Sequence, residues 1–258
     1  MFVDVHVHLS DEEYSGCISD VLAEARAANV KALVSNSVDL RTCIGSLELA
    51  GRNSGFIYAA LGIHPLAVRN LKDDELNRVL GLISSERKNR ALIAVGEIGL
   101  DSKYLDVWDK QMKVFDDMLR VAEKLDLPAI IHSRGTTAQI VDMLPSYNVK
   151  KVLLHWFSTP ISVLDKIIEN GYFITEGPPT AYSDGIRDIV KRVPLINLMT
   201  ETDGPVHFFK GPFKGKRTTP AFIPTVVQAM AEVKKLSVEE VAGQVLKNFQ
   251  GFFGVNLE

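Results

Sequence analysis

The stretch whose reading decides the fold is Phe2-Val3-Asp4-Val5-His6-Val7-His8-Leu9. Side chains of a strand alternate between its two faces, so Asp4, His6 and His8 share one face, and Val3, Val5, Val7 and Leu9 share the other. The valine face suits packing against outer helices. The other face would put three polar groups in a barrel interior, an expensive placement unless a cation satisfies them.

Outward from this run, short β-rich segments recur along the chain. They predict eight strands, over residues 2–9, 30–38, 56–63, 91–99, 128–133, 152–157, 172–175 and 195–200. Helical patterns lie between them, over residues 18–29, 41–53, 73–90, 136–144, 161–170 and 184–193. The clearest is the apolar stripe Trp108, Met112, Phe115, Leu119 and Ala122, at spacings of four and three. Residues 220–253 read as two more helices, and Ser237 with Glu240 predicts a capping box on the last. Eight strand–helix units in this length predict a single α/β domain, a TIM-type (β/α)8 barrel over residues 1–258. An open doubly wound sheet is the competing architecture.

Composition narrows the function. Apolar residues are 46% and charged residues 24% of 258, which excludes a disordered, collagenous or coiled-coil chain. The formal net charge of -3 argues against a general coat for duplex DNA but allows a local basic patch. The two cysteines, Cys17 and Cys43, form no C-x-x-C motif and are expected to be buried inert thiols in a reducing compartment. No signal-peptide pattern opens the sequence, and no apolar run nears the ~18 residues of a membrane span. A cytoplasmic protein is expected. No P-loop, dinucleotide fingerprint or nucleophile elbow is present.

Of six histidines, five fall in or at the end of predicted strands: His6, His8, His64, His132 and His155. Glu97 and Asp203 occupy similar places. The ends of barrel strands feed one catalytic mouth, so these seven residues are expected to converge. Independent hydrogen-bonded core histidines, the structural alternative, have no reason to choose the same end of different strands. Imidazole and carboxylate together suit zinc, manganese, iron or cobalt better than calcium. Seven candidates exceed one four-coordinate ion and suit two ions sharing a carboxylate, an arrangement that clamps both oxygens of a hydrolysis.

Arg134, two residues after His132, suits bidentate contact with phosphate or, alternatively, a supporting salt bridge. Lys210, Lys214, Lys216 and Arg217 are interleaved with Phe208, Phe209 and Phe213, a composition that grips single-stranded nucleic acid. Trp156 is expected in the core.

Several runs in register carry a resemblance. They are Asp4-Val5-His6-Val7-His8-Leu9, Gly62-Ile63-His64-Pro65, Gly96-Glu97-Ile98-Gly99-Leu100-Asp101, Ile131-His132-Ser133-Arg134, Leu154-His155-Trp156-Phe157-Ser158 and Glu201-Thr202-Asp203-Gly204-Pro205. Together they resemble the TatD family of metal-dependent hydrolases over almost the full length. The resemblance implies an amidohydrolase-like barrel and a deoxyribonuclease. It implies that His6, His8, Glu97 and Asp203 form one metal site, and that Glu97, His132 and His155 form a second, with Glu97 bridging. His64 would line the site without ligating. Departures from the family pattern fall at Gly135, Thr218-Thr219, Ser10-Asp11 and Tyr104, and none removes a ligand.

The reading is thus a hydrolase of DNA phosphodiester bonds that uses water activated by two divalent ions (zinc, manganese or magnesium). Asp203, Glu97 and His64 would be catalytic, with Asp203 as both ligand and base. Arg134, Lys214, Lys216 and Arg217 would bind substrate. The expected partner is single-stranded or frayed DNA, with no membrane and no obligatory protein partner. The alternatives are hydrolysis of a lactone, cyclic amide or small phosphoester, or a catalytically silent metal-binding protein.

Overall fold

Eight strands form one sheet in the order β1 to β8, every neighbouring pair parallel. The computed structural model describes residues 1–72, 74–158 and 161–257. The strands are β1 (Phe2–Val7), β2 (Val30–Asn36), β3 (Ile57–Leu61), β4 (Leu92–Gly99), β5 (Ala129–His132), β6 (Val152–Leu154), β7 (Phe173–Glu176) and β8 (Leu198–Thr200). Between them run α1 (Ile18–Ala27), α2 (Leu40–Arg52), α3 (Pro65–Val68), α4 (Glu75–Ser85) and α5 (Trp108–Leu125). They are followed by α6 (Thr137–Met143), α7 (Leu164–Glu169), α8 (Asp184–Arg192), α9 (Ile223–Lys234) and α10 (Val238–Phe253).

The predicted (β/α)8 barrel is what forms. Past β8 the chain binds back to the first strand: Asp203 N–H donates to His6 O at 2.9 Å, and His8 N–H donates to Gly204 O at 2.7 Å. These contacts bring the two ends of the sheet together at the mouth. The valine face of β1 is buried as expected, with Val3, Val5 and Val7 at most 1% exposed. The stripe of α5 buries Phe115, Leu119 and Ala122. The capping box predicted for the last helix is present, with Ser237 accepting from Glu240 N–H and Glu240 accepting from Ser237 N–H.

Differences lie at element ends. The helix expected over residues 73–90 runs over Glu75–Ser85, and Asp73 lies outside the described residues. The run predicted as a strand over 195–200 opens with a 3-10 turn at Leu195–Asn197, which leaves three residues for β8. One glycine matters to the site. Gly99 ends β4 at φ +149°, and a Cβ there would lie 2.0 Å from His132 O, so only glycine lets β4 and β5 approach at the level of the mouth.

Candidate metal centre

Glu97, two residues before the end of β4, stands at the middle of the mouth, and its two oxygens face opposite sides. Oε2 lies 3.2 Å from His6 Nε2 and 3.4 Å from His8 Nε2. Oε1 lies 2.8 Å from His155 Nε2, 2.9 Å from His132 Nδ1 and 3.2 Å from His64 Nε2. Asp203 Oδ1 joins the first side, 3.3 Å from His8 Nε2 and 3.6 Å from His6 Nε2. The structure therefore brings together all seven residues that the strand-end argument singled out.

Imidazole nitrogens face one another on each side, two on the Oε2 side and three on the Oε1 side, where His64 Nε2 also lies 3.2 Å from His132 Nδ1. His6 Nε2 and His8 Nε2 are 3.3 Å apart, and so are His132 Nδ1 and His155 Nε2. Two bare lone pairs at that distance repel, so each pair requires a proton or a cation between them. Charge makes the same demand. Burial alone would push the Glu97 carboxyl up, but His64, His155 and His6 around it hold it well below the usual range. Asp203 behaves alike: burial is outweighed by His8, His155 and His6. In return, the facing carboxylates raise His155, His8 and His132 against the effect of burial. Among the described residues, neither Glu97 nor Asp203 pairs with a lysine or arginine. Buried carboxylates, facing imidazoles and no fixed cation are a donor set that fits a divalent ion on each side of Glu97.

The outer ring nitrogens settle which face of each histidine is available. His8 Nδ1 lies 3.1 Å from the carbonyl oxygen of Asn36, which can only accept. His8 therefore carries its proton on Nδ1 and turns a bare Nε2 inward. His64 is the reverse. It caps α3, and its Nδ1 accepts Leu66 N–H at 2.9 Å, so the neutral ring has its proton on Nε2 and presents a donor to the mouth. Burial keeps that ring neutral by lowering its pKa.

Asp4 was grouped with His6 and His8 on one strand face, but it takes no part in the cluster. Its Oδ1 accepts His6 N–H at 3.2 Å and Thr202 N–H at 3.1 Å, and Oδ2 lies 2.5 Å from Thr202 Oγ1. Burial pushes its carboxyl up to about 8, against these hydrogen bonds. Asp4 is thus satisfied by the segment after β8 and needs no cation.

The expected substrate contacts are dispersed. Arg134 Nε donates to Asp101 Oδ1 at 3.2 Å, and its Nη2 lies 3.2 Å from Asp101 Oδ2 as an ion pair. Lys216 and Arg217 line a cavity of 670 Å³ against α1, and Arg217 lies 3.8 Å from Glu24. Of the interleaved aromatics, Phe208 and Phe213 are buried and only Phe209, at 79%, is exposed. Trp156 is partly buried, with its ring 5.8 Å from that of Phe208.

Two acids next to the cluster escaped the sequence reading: Asp101 and Glu201, both at most 2% exposed. Each follows an apolar strand within two residues of its end. Placement at a strand end is the signal that singles out Glu97 and Asp203, and both of these acids carry it too.

A histidine–carboxylate cluster at the C-terminal ends of the strands lies on the catalytic face of a barrel, the arrangement expected of metal-dependent barrel enzymes, hydrolases among them. Comparison narrows that class. Residues 3–254 match the family model described as TatD related DNase. The chain is 29% identical to the uncharacterized metal-dependent hydrolase YabD of Bacillus subtilis, over 99% of this chain and all of that protein. It is 32% identical to the human deoxyribonuclease TATDN3, over 95% of this chain and 92% of that one. The crystal structure of YjjV, a TatD homolog from Escherichia coli, superposes with a TM-score of 0.90 at 28% identity, covering 99% of this chain and 98% of that one. The chain belongs to the TatD family and is a metal-dependent hydrolase.

Proposed function

We propose that this chain hydrolyses DNA phosphodiester bonds at a two-ion centre held by His6, His8, Glu97, His132, His155 and Asp203. The observation that carries the reading is the pair of facing nitrogen sets, one on each oxygen of Glu97. Divalent ions bound on the two sides would lower the pKa of an attacking water and draw charge from the phosphoryl oxygens.

The chain's own residues supply the rest. Asp203 stays anionic at the rim of the cluster, 7% exposed, and is the group placed to take the proton from water. His64 turns Nε2–H toward the same space and donates to a phosphoryl oxygen. Arg134, paired with Asp101 beside His132, adds positive charge next to the cluster. Lys214, Lys216 and Arg217 supply positive charge along the path of a single-stranded or frayed end. The name of the human relative, a deoxyribonuclease, supports DNA as the substrate.

The test is a substrate panel with zinc, manganese and magnesium in turn. Defined oligonucleotides are set beside simple phosphodiesters, lactones and cyclic amides. Metal-dependent cleavage of the oligonucleotides is expected. Turnover of a lactone or cyclic amide with none of DNA would overturn the assignment and leave the hydrolase class intact.

A further inference from the structure

Asp101 and Glu201 stand behind the histidines, away from the space where substrate would bind. Asp101 is gripped from several directions. Its Oδ2 lies 3.1 Å from His132 Nε2, and Oδ1 accepts Lys103 N–H at 2.8 Å. Arg134 holds both oxygens. The Asp101 backbone N–H donates to Gln111 Oε1 at 2.8 Å. Glu201 follows β8 directly. Its Oε2 accepts from Thr175 Oγ1 at 2.5 Å and faces His155 Nδ1 at 3.6 Å. His155 Nδ1 and Glu201 Oε1 are both buried and have no hydrogen-bond partner among the described residues.

Negative charge is distributed unevenly around the cluster. On the His6–His8 side it is direct, from Asp203 and one oxygen of Glu97. His8 rests its outer nitrogen on a neutral carbonyl. On the His132–His155 side Glu97 Oε1 is the only direct anion among the described residues, and both outer nitrogens face carboxylates instead. An imidazole that gives its outer N–H to a carboxylate keeps its inner nitrogen bare and makes it a stronger donor.

We propose that Asp101 and Glu201 are positioning residues for His132 and His155, and that their remote charge gives the His132–His155 side of Glu97 its affinity for an ion. Arg134 then serves as the clamp on Asp101. The inference rests on the two-ion reading above.

The experiment is a zinc titration of chelated protein, followed by calorimetry and by competition with a chromophoric chelator. It compares wild type with Asp101→Ala, Asp101→Asn and Glu201→Gln, and each variant is melted in chelator to check its fold. Wild type should bind two ions. Asp101→Ala and Glu201→Gln should each weaken one of them by about 10–100-fold and leave the other within a few-fold. Asp101→Asn, whose amide oxygen still accepts from His132 Nε2, should fall between wild type and Asp101→Ala. If Glu201→Gln does not fold, the Asp101 pair decides alone. Parallel weakening of both ions, or two unchanged affinities, would overturn the inference. Failure of the folded wild type to bind zinc is a distinct result: it removes the two-ion reading and this inference with it.

Discussion

Asp203 takes a backbone φ of 51°, a conformation costly for most side chains and less so for aspartate. The surroundings impose it: Asp203 N–H donates to His6 O, and its carbonyl accepts Val206 N–H at 3.0 Å. The carboxylate is thereby aimed at His8 and His6. Asp203→Asn keeps the shape and one ligating oxygen but loses most of the basicity. With saturating metal its kcat should drop on the order of 10²–10⁴, while the chelated protein still melts cooperatively. Near-normal kcat would eliminate Asp203 as the base. Glu176, the last residue of β7, makes a separate point. It is fully buried, and neither carboxyl oxygen has a hydrogen-bond partner among the described residues. Burial, reinforced by Glu201, raises its pKa well above the ordinary 4.5. The native chain therefore keeps a proton that the unfolded chain gives up. The stability from that proton is full below the unfolded value and is lost as pH rises through the native one. Glu176→Gln removes this titration. Its urea midpoint should gain on that of wild type steadily from pH 5 to pH 9, and a constant difference across that range would show that Glu176 is ionised in the fold.

Strand and helix interiors could be read from the sequence because an apolar run or stripe must be buried somewhere. Their ends could not, because ends are fixed by individual contacts. The run predicted over 152–157 stops pairing at Leu154; His155 then turns into the mouth, and Trp156 takes a φ of 39°. The four residues of α3 carry no periodicity, and their helix is set by the His64 cap with Pro65 in the first turn. The loop after β8 shows a further limit. Its composition suggested alternating aromatic and basic contacts, yet Phe208 and Phe213 turn inward to pack near Trp156 and Phe222. What this loop keeps at the surface is charge, and Lys216 and Arg217 line a cavity against α1. Changing Lys214, Lys216 and Arg217 together to alanine should raise KM for oligonucleotides and flatten its salt dependence. Turnover of a minimal phosphodiester should stay the same. Equal loss on both substrates would mean that the loop supports the barrel or the ions instead.

The whole barrel gathers side chains that lie as far apart in the chain as His6 and Asp203 into one cluster. Convergence at strand ends was readable from the sequence because a parallel barrel has a single catalytic face. Which acids face the cluster and which stand behind its histidines was not. Glu97, Asp101 and Glu201 are all buried carboxylates near strand ends, and only the distances separate their places. No helix of the described residues is long and apolar enough to cross a membrane. The central claim is that Glu97 joins two ions, and the stoichiometry of metal binding tests it most directly. Chelated wild-type protein titrated with zinc or manganese, with elemental analysis after dialysis, should approach two equivalents per chain. Glu97→Gln, which keeps the side chain's size but removes the charge shared by both sides, should fall to one equivalent or fewer. Two ions held by Glu97→Gln at wild-type affinity would contradict the bridging role. Folded wild-type protein that binds none of zinc, manganese or magnesium would contradict the account as a whole.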